Sequence, residues 1–541
     1  MPAHKLAAIL VLALLLATFP VRADEILGPL AGFDKYVKAA LADWKTPGMA
    51  IAVVKDGRVV LARGYGVRRF GGQEQVDEQT IFPIASVTKV FTATCLAQLV
   101  EEGRLKWSDP VVKHLPEFEL YDPYLTKDVR LADLLSHRTG LETADLLAYR
   151  GDYDRDEILR RLRFLQPVAP FRSRYGYHNL MVVTAGEVLE RVAQESWPVF
   201  LRTRLLQPLG MRATLASPRE LQGLRNVATP HLLSGRRLIP DPAWSRDAGA
   251  EGFRRLHDTV APAGAIQSNV VDMIKFVHMY LNEGVLDGHR LLRTETIREL
   301  LAPHSVVPIE ATPKPNFAYP RFFFGSGLGW WLRDYRGRKV VYHGGSSGAV
   351  AAMMPEENIG VVVLANRGCG VVYMVMHDVF DRMLRIPRTW TNHDWLVDAE
   401  ENPQKDMEAM NARMEAKRAK DTKPSLPLAE YVGSYECDLY GKLEIREDEG
   451  SLRLQFGPNI MATLRHWEHD TFRGKLTFPS DDEWFLRFVV ADGKPGRLEI
   501  ERIFWHEPMP AFRRVRELDL KSEVVSFTRS VASLRLPLIW F

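Results

Sequence analysis

The chain has 541 residues, of which 46% are hydrophobic and 26% are charged, an ordinary composition for a globular protein. This length suits two or three domains with sizeable apolar cores. The 71 basic and 68 acidic side chains leave a formal net charge of +3, which excludes the strong positive field typical of proteins that bind nucleic acid or anionic membrane surfaces.

The N-terminus has the pattern of a secretory signal peptide. An apolar stretch runs from Leu6 to about Phe19, with one lysine before it, and Val21-Arg22-Ala23 follows with small residues at the positions that a signal peptidase needs. We therefore expect residues 1–23 to be removed and the mature protein to be periplasmic or secreted, with no integral membrane segment. The apolar stretch is short for a bilayer, and an uncleaved N-terminal anchor is the alternative.

The next elements indicate an α+β domain over residues 24–398. Two β-rich runs flank the turn signal Asp56-Gly57, and a helix is predicted from about Ala85 to Glu102. Residues 105–320 are rich in helices and loops, and short apolar runs then return between about 328 and 366 as an antiparallel meander. We expect the first hairpin to join that meander in one sheet and the middle of the chain to form a helical lobe.

A second, smaller domain is predicted after a linker. Residues 399–426 are charged and free of aromatic side chains, which favours a partly helical linker. Residues 427–515 alternate between apolar and polar side chains in several hairpins, one of them around Glu449-Gly450, and this pattern predicts a small all-β barrel. Residues 516–541 form a tail without a clear pattern.

Ser86 and Lys89 stand three residues apart in the predicted helix, within "IFPIASVTKVFTATCLAQL". Positions i and i+3 share a helix face, with about 5–6 Å between their Cβ atoms. A serine hydroxyl is a poor nucleophile until a base takes its proton, and a lysine can be that base only when burial lowers its pKa. The apolar neighbours provide such a setting. The alternative is a serine cap followed by an ordinary lysine.

Tyr177 and Asn179 lie just before another predicted helix, in "RYGYHNLMVV". A tyrosine phenol beside a buried lysine can be pushed toward phenolate and then shuttle protons. The Asn179 amide can donate to a substrate carbonyl and accept from the lysine. The alternative is a tyrosine followed by an asparagine that caps the helix.

The third motif is "VVYHGGSSG", in which His343 ends an apolar strand. Gly344 and Gly345 would let a substrate backbone lie alongside this strand. The backbone N–H of Ser346 could then complete an oxyanion hole with the N–H of Ser86. The alternative is a strand end followed by a glycine turn.

Together these motifs resemble the serine β-lactamase and penicillin-binding protein superfamily, above all its class C β-lactamase-like branch of esterases, D-aminopeptidases and D-alanyl carboxypeptidases. The matches are S-V-T-K at 86–89, Y-H-N at 177–179 and H-G-G at 343–345, and the resemblance covers about 47–366. It implies a β-lactamase/transpeptidase-like fold, an antiparallel sheet flanked by helices. It also implies an acylated Ser86, Lys89 as its base, Tyr177 as general acid/base and Asn179 as a positioning residue.

The resemblance further implies that the C-terminal domain is a lipocalin-like barrel and that no cofactor or metal is used. The histidines of "HWEHD" (466–470) read as strand residues on opposite faces, which argues against a metal site. His137, in "LLSHRTG", matches a stretch that is structural in the family, so a catalytic role is not expected there.

One departure from the family pattern bears on the substrate. The β-lactamases carry K-T-G where this chain has His343-Gly344-Gly345, so a permanent cation is replaced by a group that ordinarily titrates near pH 6.5. We therefore expect the charge of His343 to change between pH 5 and 8. The loss of a carboxylate clamp predicts weak β-lactam turnover and favours esters and D-amino-acid peptides or amides.

The sequence therefore predicts an exported serine hydrolase that forms an acyl-enzyme with a small-molecule or peptide substrate. The alternative, from another functional class, is a non-catalytic binding or sensor protein that retains the penicillin-binding fold. The sequence does not choose among the substrates, and it leaves the oligomeric state open.

Overall fold

The computed structural model describes residues 28–234, 237–244, 251–309, 322–478, 483–502 and 509–515. The predicted signal peptide (1–23) and tail (516–541) lie outside these residues, so both stay predictions from the sequence. Of the helices within the described ranges, none combines the length and the apolar character needed to cross a bilayer.

The larger domain contains strands β1 to β14 and helices α1 to α15. The strands are β1 Gly48–Lys55, β2 Arg58–Gly66, β3 Phe82–Pro83, β4 His231–Ser234, β5 Arg237–Pro240, β6 Gln267–Ser268, β7 Val285–Leu286, β8 His289–Arg290, β9 Ser305–Val306, β10 Phe324–Ser326, β11 Trp331–Tyr335, β12 Arg338–Gly345, β13 Ala349–Met354 and β14 Ile359–Ala365. The helices are α1 Phe33–Asp43, α2 Thr88–Glu101, α3 Val111–His114, α4 Pro123–Asp128, α5 Leu131–Leu135, α6 Leu146–Tyr149, α7 Arg155–Arg161, α8 Asn179–Ala193, α9 Trp197–Leu201, α10 Glu251–Thr259, α11 Ala261–Gly264, α12 Val270–Leu281, α13 Thr294–Leu300, α14 Val371–Met383 and α15 Asn392–Leu396.

An eight-stranded antiparallel sheet organises this domain, in the order β2-β1-β14-β13-β12-β11-β10-β9. The first hairpin therefore joins the late meander, and the predicted α+β fold with a helix-flanked antiparallel sheet is confirmed. Asp56 and Gly57 connect β1 to β2 with φ values of 50° and 73°, the two positive angles that a tight hairpin turn requires. Strands β13 and β14 are buried along their whole length, because helices cover both faces of the sheet.

Helix α2 runs through the core of the helical lobe. Every residue from Thr88 to Leu99 is buried, which is the behaviour of a helix that is apolar on all sides. A 3-10 helix, Ala85–Val87, leads directly into it. Lys89, at the start of α2, is therefore shielded from solvent together with the residues that follow it in the helix.

The C-terminal domain is a closed eight-stranded barrel, which confirms the predicted small all-β barrel. Its strands are β15 Gly433–Cys437, β16 Gly441–Asp448, β17 Ser451–Phe456, β18 Ile460–Glu468, β19 Thr471–Leu476, β20 Glu483–Ala491, β21 Lys494–Arg502 and β22 Phe512–Arg514. Large buried side chains such as Phe456, Trp484 and Phe488 fill the barrel.

The barrel packs directly against the larger domain. The Asn459 amide donates to the Tyr149 carbonyl (3.0 Å), and the Asn459 backbone N–H donates to the Arg150 carbonyl (3.2 Å). Gly151 and Gly252 face the same asparagine, and a Cβ atom on either glycine would collide with it. The two domains thus share a fitted interface in addition to their chain connection.

The segment between the domains is helical in its first half. Helix α16 (Asn402–Lys417) contains no buried residue, whereas the chain after it lies along the barrel. There Arg418 Nε donates to the Trp467 carbonyl (2.6 Å), and Ser425 Oγ donates to Asp470 (3.0 Å). A short helix, α17 (Leu428–Tyr431), precedes β15.

Candidate active site

Ser86 is the middle residue of the 3-10 helix that leads into α2. The residue before it, Ala85, has a φ of 44°, a left-handed conformation that costs free energy in a residue other than glycine. This conformation places Ser86 at the N-terminus of the helix, where the backbone N–H groups have no partner within the helix. This geometry exposes a hydroxyl and backbone donors to the same small volume.

Lys89 is completely buried, and its Nζ atom lies 2.9 Å from Ser86 Oγ and 2.8 Å from the Ala263 carbonyl oxygen. Burial lowers the lysine pKa to about 7, although the nearby charge of Asp145 opposes that shift. When protonated, the ammonium donates to both oxygens. When neutral, the amine can donate to Ala263 and turn its lone pair toward the Ser86 proton.

Tyr177 completes a group of three with Ser86 and Lys89. Its side chain interacts with that of Ser86, and its ring centroid lies 5.0 Å from Lys89 Nζ. Removal from water raises the tyrosine pKa well above its ordinary value. The sequence suggested that Lys89 could push this phenol toward phenolate, but desolvation, the largest cause of the pKa shift, favours the protonated phenol in the resting protein. Tyr177 rests as a protonated phenol, ready to donate.

Asn179 begins helix α8, and its amide nitrogen donates to Asp145 Oδ2 at 2.7 Å. A carboxylate only accepts hydrogen bonds, so it holds the NH₂ group of the amide toward itself. The sequence predicted Lys89 as the partner of Asn179 and did not single out Asp145. Nothing in "GLETADLL" distinguishes this aspartate, which reaches the site only through the packing of α6 and α8.

The end of β12 packs against the backbone that leads to Ser86, where Gly345 lies close to Ile84 and Ala85. Strand β11 pairs with β12 only as far as Tyr342, so His343 to Gly345 have a partner strand on the β13 side alone. That leaves an edge where an extended backbone can pair, as the glycine motif suggested. Close packing is a further reason for glycine at both positions. A Cβ on Gly345 would collide with the Ile84 carbonyl, and a Cβ on Gly344 would collide with the Tyr373 hydroxyl.

His343 differs from the sequence expectation in its charge. The residue is 1% exposed and its ring stacks on Trp331, with 4.7 Å between centroids. Burial, with a smaller effect from Lys89, lowers the imidazole pKa to about 3. The expected change of charge between pH 5 and 8 is therefore wrong, because a neutral ring is far cheaper to bury than a cation. Its Nδ1 atom lies 2.8 Å from the Gly344 carbonyl oxygen.

A cavity of about 260 Å³ opens at Ser86. Its polar lining includes Ser86, Asn179 and Ser346, the residue that follows β12, together with Asp145, Asp241 and His257. The rest of its lining is mostly apolar and includes side chains from both domains. Neither Tyr177 nor His343 is among its lining residues, so both lie to the side of this cavity.

His137 packs against Tyr177 and the residue that follows it. It is buried, its ring centroid lies 4.6 Å from that of Tyr177, and its Nδ1 accepts a hydrogen bond from the His178 backbone N–H (3.2 Å). These contacts fix the loop that carries Tyr177. They are consistent with the structural, non-catalytic role that the sequence suggested for His137.

Because the pKa of Lys89 is near 7, the rate at which Ser86 reacts should depend on pH. Only neutral Lys89 can accept the serine proton, so covalent labelling of Ser86 by a fluorophosphonate should slow about tenfold per pH unit below pH 7 and level off above it. Asp145→Asn removes the negative charge that raises this pKa, and the midpoint should then move to lower pH. The measurement is the labelling rate from pH 5 to 9.

His343→Gln is the matched control for that experiment. Because His343 is neutral throughout the range, its replacement should leave the midpoint in place. A midpoint that follows His343 and ignores Asp145 would contradict the assignment to Lys89.

Two family models match the chain. The model described as Beta-lactamase matches residues 33–380, and a domain of unknown function, DUF3471, matches residues 417–518. The first match extends from helix α1 to helix α14, and it therefore contains the whole eight-stranded sheet and the residues around Ser86.

Curated relatives match much of the chain. Unguisins hydrolase ungD of Aspergillus violaceofuscus is 29% identical over 498 residues, which cover 83% of each chain. Penicillin-binding protein 4 of Amycolatopsis lactamdurans is 29% identical over 366 residues, 65% of this chain and 89% of that protein.

Solved structures share the fold. A penicillin-binding protein homologue from Pyrococcus abyssi, described as octameric, superposes with a TM-score of 0.58 at 22% identity, over 89% of this chain and 99% of its own. EstCE1, described as a hydrolase with promiscuous acyltransferase activity, gives a TM-score of 0.53 at 20% identity, over 66% and 98%. At these identities the likeness establishes the fold alone.

Proposed function

The chain belongs to the β-lactamase family, and we propose that it is a serine hydrolase that acts through an acyl-enzyme on Ser86. The observation that carries the proposal is the contact between a completely buried lysine and the serine hydroxyl, 2.9 Å apart. A binding protein gains nothing from a buried amine with a pKa near 7, because its desolvation opposes folding. A base that must be neutral at ordinary pH explains that cost.

Acylation follows from the positions of these groups. Neutral Lys89 takes the Ser86 proton as Oγ attacks the substrate carbonyl carbon. The carbonyl oxygen becomes an oxyanion, stabilised by the backbone N–H groups of Ser86 and Ser346. Tyr177 then donates its proton to the leaving amine or alcohol as the carbon–heteroatom bond breaks. The tyrosine recovers a proton from the Lys89 ammonium, and water later hydrolyses the Ser86 ester.

We propose peptide-like amides, including those of D-amino acids, as the preferred substrates, with small esters also accepted. The unpaired edge of β12 at His343 to Gly345 suits an extended peptide backbone. Relatives named unguisins hydrolase and penicillin-binding protein are consistent with this choice. A neutral His343 supplies no cation for a substrate carboxylate, so we propose only weak turnover of β-lactams.

A hydrolysis screen of the purified protein tests this proposal. It should contain D-amino-acid p-nitroanilides, short p-nitrophenyl esters and a chromogenic cephalosporin, with protein previously inactivated by a fluorophosphonate as the control. We expect turnover of amides or esters that is lost on inactivation, and slow turnover of the cephalosporin. Covalent labelling without turnover of any of them would favour the non-catalytic alternative.

We also propose that the protein is exported and begins at Asp24 in its mature form. The support is the signal-peptide pattern that ends at Ala23, a segment outside the described residues. The intact mass of the protein recovered from the periplasm or the medium should match a chain that starts at Asp24. Recovery from the envelope of a species that still carries residues 1–23 would favour an uncleaved anchor.

A further inference from the structure

The C-terminal barrel supplies one wall of the cavity at Ser86. Phe478 follows strand β19 of the barrel and lines this cavity together with Tyr149 of the larger domain. The two rings meet edge to face, with 5.4 Å between centroids, and Phe478 makes a second edge-to-face contact with Phe253 at 5.0 Å. Such contacts fix both the position and the tilt of the ring.

The backbone beside Phe478 is tied to the larger domain. The Thr477 N–H donates to the Met461 carbonyl (2.8 Å), and the Thr477 hydroxyl donates to the Asn459 carbonyl (3.4 Å). Asn459 in turn binds the carbonyl of Tyr149 through its side chain (3.0 Å). One chain of hydrogen bonds therefore holds the segment of Phe478 against Tyr149, the residue whose ring it contacts.

The cavity is suited to one bulky apolar group. Its apolar lining consists mainly of Leu232, Trp244, Leu256 and Val260 of the larger domain in addition to Tyr149 and Phe478, and Asp241 and His257 also line it. Its volume of about 260 Å³ is slightly below the usual range for ligand pockets, about 300–1,000 Å³, which suits a single group. An aromatic or branched side chain would bury its surface in this cavity, whereas a methyl group would leave most of the cavity empty.

The position of Tyr177 indicates which half of the substrate enters. The proposed mechanism has Tyr177 protonate the leaving group, so the leaving group must lie beside that phenol. The cavity is lined by Ser86, Ser346 and Asn179 but not by Tyr177. It therefore extends from the half of the substrate that stays attached to Ser86.

We propose that Phe478 of the barrel is a specificity-determining residue, and that it completes an acyl-side pocket for a bulky apolar group. The inference rests on the proposed serine hydrolase function and assigns a part to the barrel in it. The barrel selects the substrate by contributing Phe478 to the wall of the pocket, while the larger domain supplies the reacting groups.

Two esters with one leaving group test the pocket. Wild-type protein should give a higher kcat/KM for p-nitrophenyl phenylacetate than for p-nitrophenyl acetate. Phe478→Ala should lower kcat/KM for phenylacetate about 10- to 100-fold, the range for hydrophobic pocket contacts, and change acetate less than about threefold. Phe478→Leu, which keeps an apolar wall, should restore most of the phenylacetate rate.

Phe485→Ala is the matched control, because Phe485 also belongs to the barrel but packs against Trp467 (5.2 Å), outside the cavity lining. It should leave the ratio of the two esters unchanged. Equal losses for both esters in Phe478→Ala, or the same change in Phe485→Ala, would overturn the proposal. Should Phe478→Ala not fold, Phe478→Trp, which fills the pocket, should reduce phenylacetate turnover more than acetate turnover.

A binding measurement separates this proposal from the proposed function. By calorimetry, wild-type protein should bind phenylacetamide at least about tenfold more tightly than Phe478→Ala does, whether or not either ester is turned over. Failure of both esters with this binding difference intact would reject the hydrolase and keep the pocket. Normal ester turnover with equal binding by both proteins, and an unchanged ester ratio, would reject the pocket and keep the hydrolase.

Discussion

Ser86→Ala should abolish both covalent labelling and substrate turnover. A fluorophosphonate should add one adduct per wild-type chain, on the peptide that contains Ser86, because this hydroxyl lies 2.9 Å from the Lys89 amine. Without Oγ no bond to the substrate can form. Intact mass, peptide mapping and the rate with the best substrate of the screen measure the three effects.

Ser346→Ala is the matched control for that loss. Ser346 also lines the cavity, but the mechanism uses only its backbone N–H, which alanine keeps. This variant should still take up the label at Ser86. An adduct on another serine, or residual turnover by Ser86→Ala at the wild-type rate, would remove Ser86 from the mechanism.

Lys89→Met should slow acylation by about 10²–10⁴-fold, the usual contribution of a positioned general base. Methionine keeps an apolar stem of similar length in the buried space and removes only the amine. The protein should therefore fold and pack as before. The labelling rate at pH 8, where most of the wild-type lysine is neutral, is the appropriate measurement.

The same variant should be more stable than the wild type near pH 7. The folded-state pKa of Lys89 is lowered from 10.5 to about 7, so between these values the unfolded chain binds the proton and the folded chain does not. Wild-type stability should then rise with pH across this window, by up to about 1.4 kcal/mol per pH unit. The methionine variant lacks this dependence.

Thermal denaturation of both proteins at pH 7, 8 and 9 checks the sign. The advantage of Lys89→Met should be largest at pH 7 and shrink as the pH rises toward 10. A constant difference across this range, or acylation of Lys89→Met at the wild-type rate, would show that Lys89 is not the buried base.

Local pattern was enough to predict the framework of the site. Ser86 and Lys89 share a helix face because of their spacing, and the apolar residues around them predict that the face is buried, as the structure shows. The turn at Asp56-Gly57 and the alternation in 427–515 likewise depend on neighbouring residues in the chain, so the hairpin and the barrel could be predicted.

Only the tertiary structure decided the charges and the shape of the cavity. A pKa depends on desolvation and on groups that other segments bring near; His343 is neutral because Trp331 covers it, and Lys89 meets the field of Asp145 from a separate loop. Phe478 belongs to another domain, and the sequence of the barrel gives no sign that this residue lines the cavity at Ser86. Composition and spacing thus determined which reacting groups the chain carries, while long-range packing determined their protonation and the space left for a substrate.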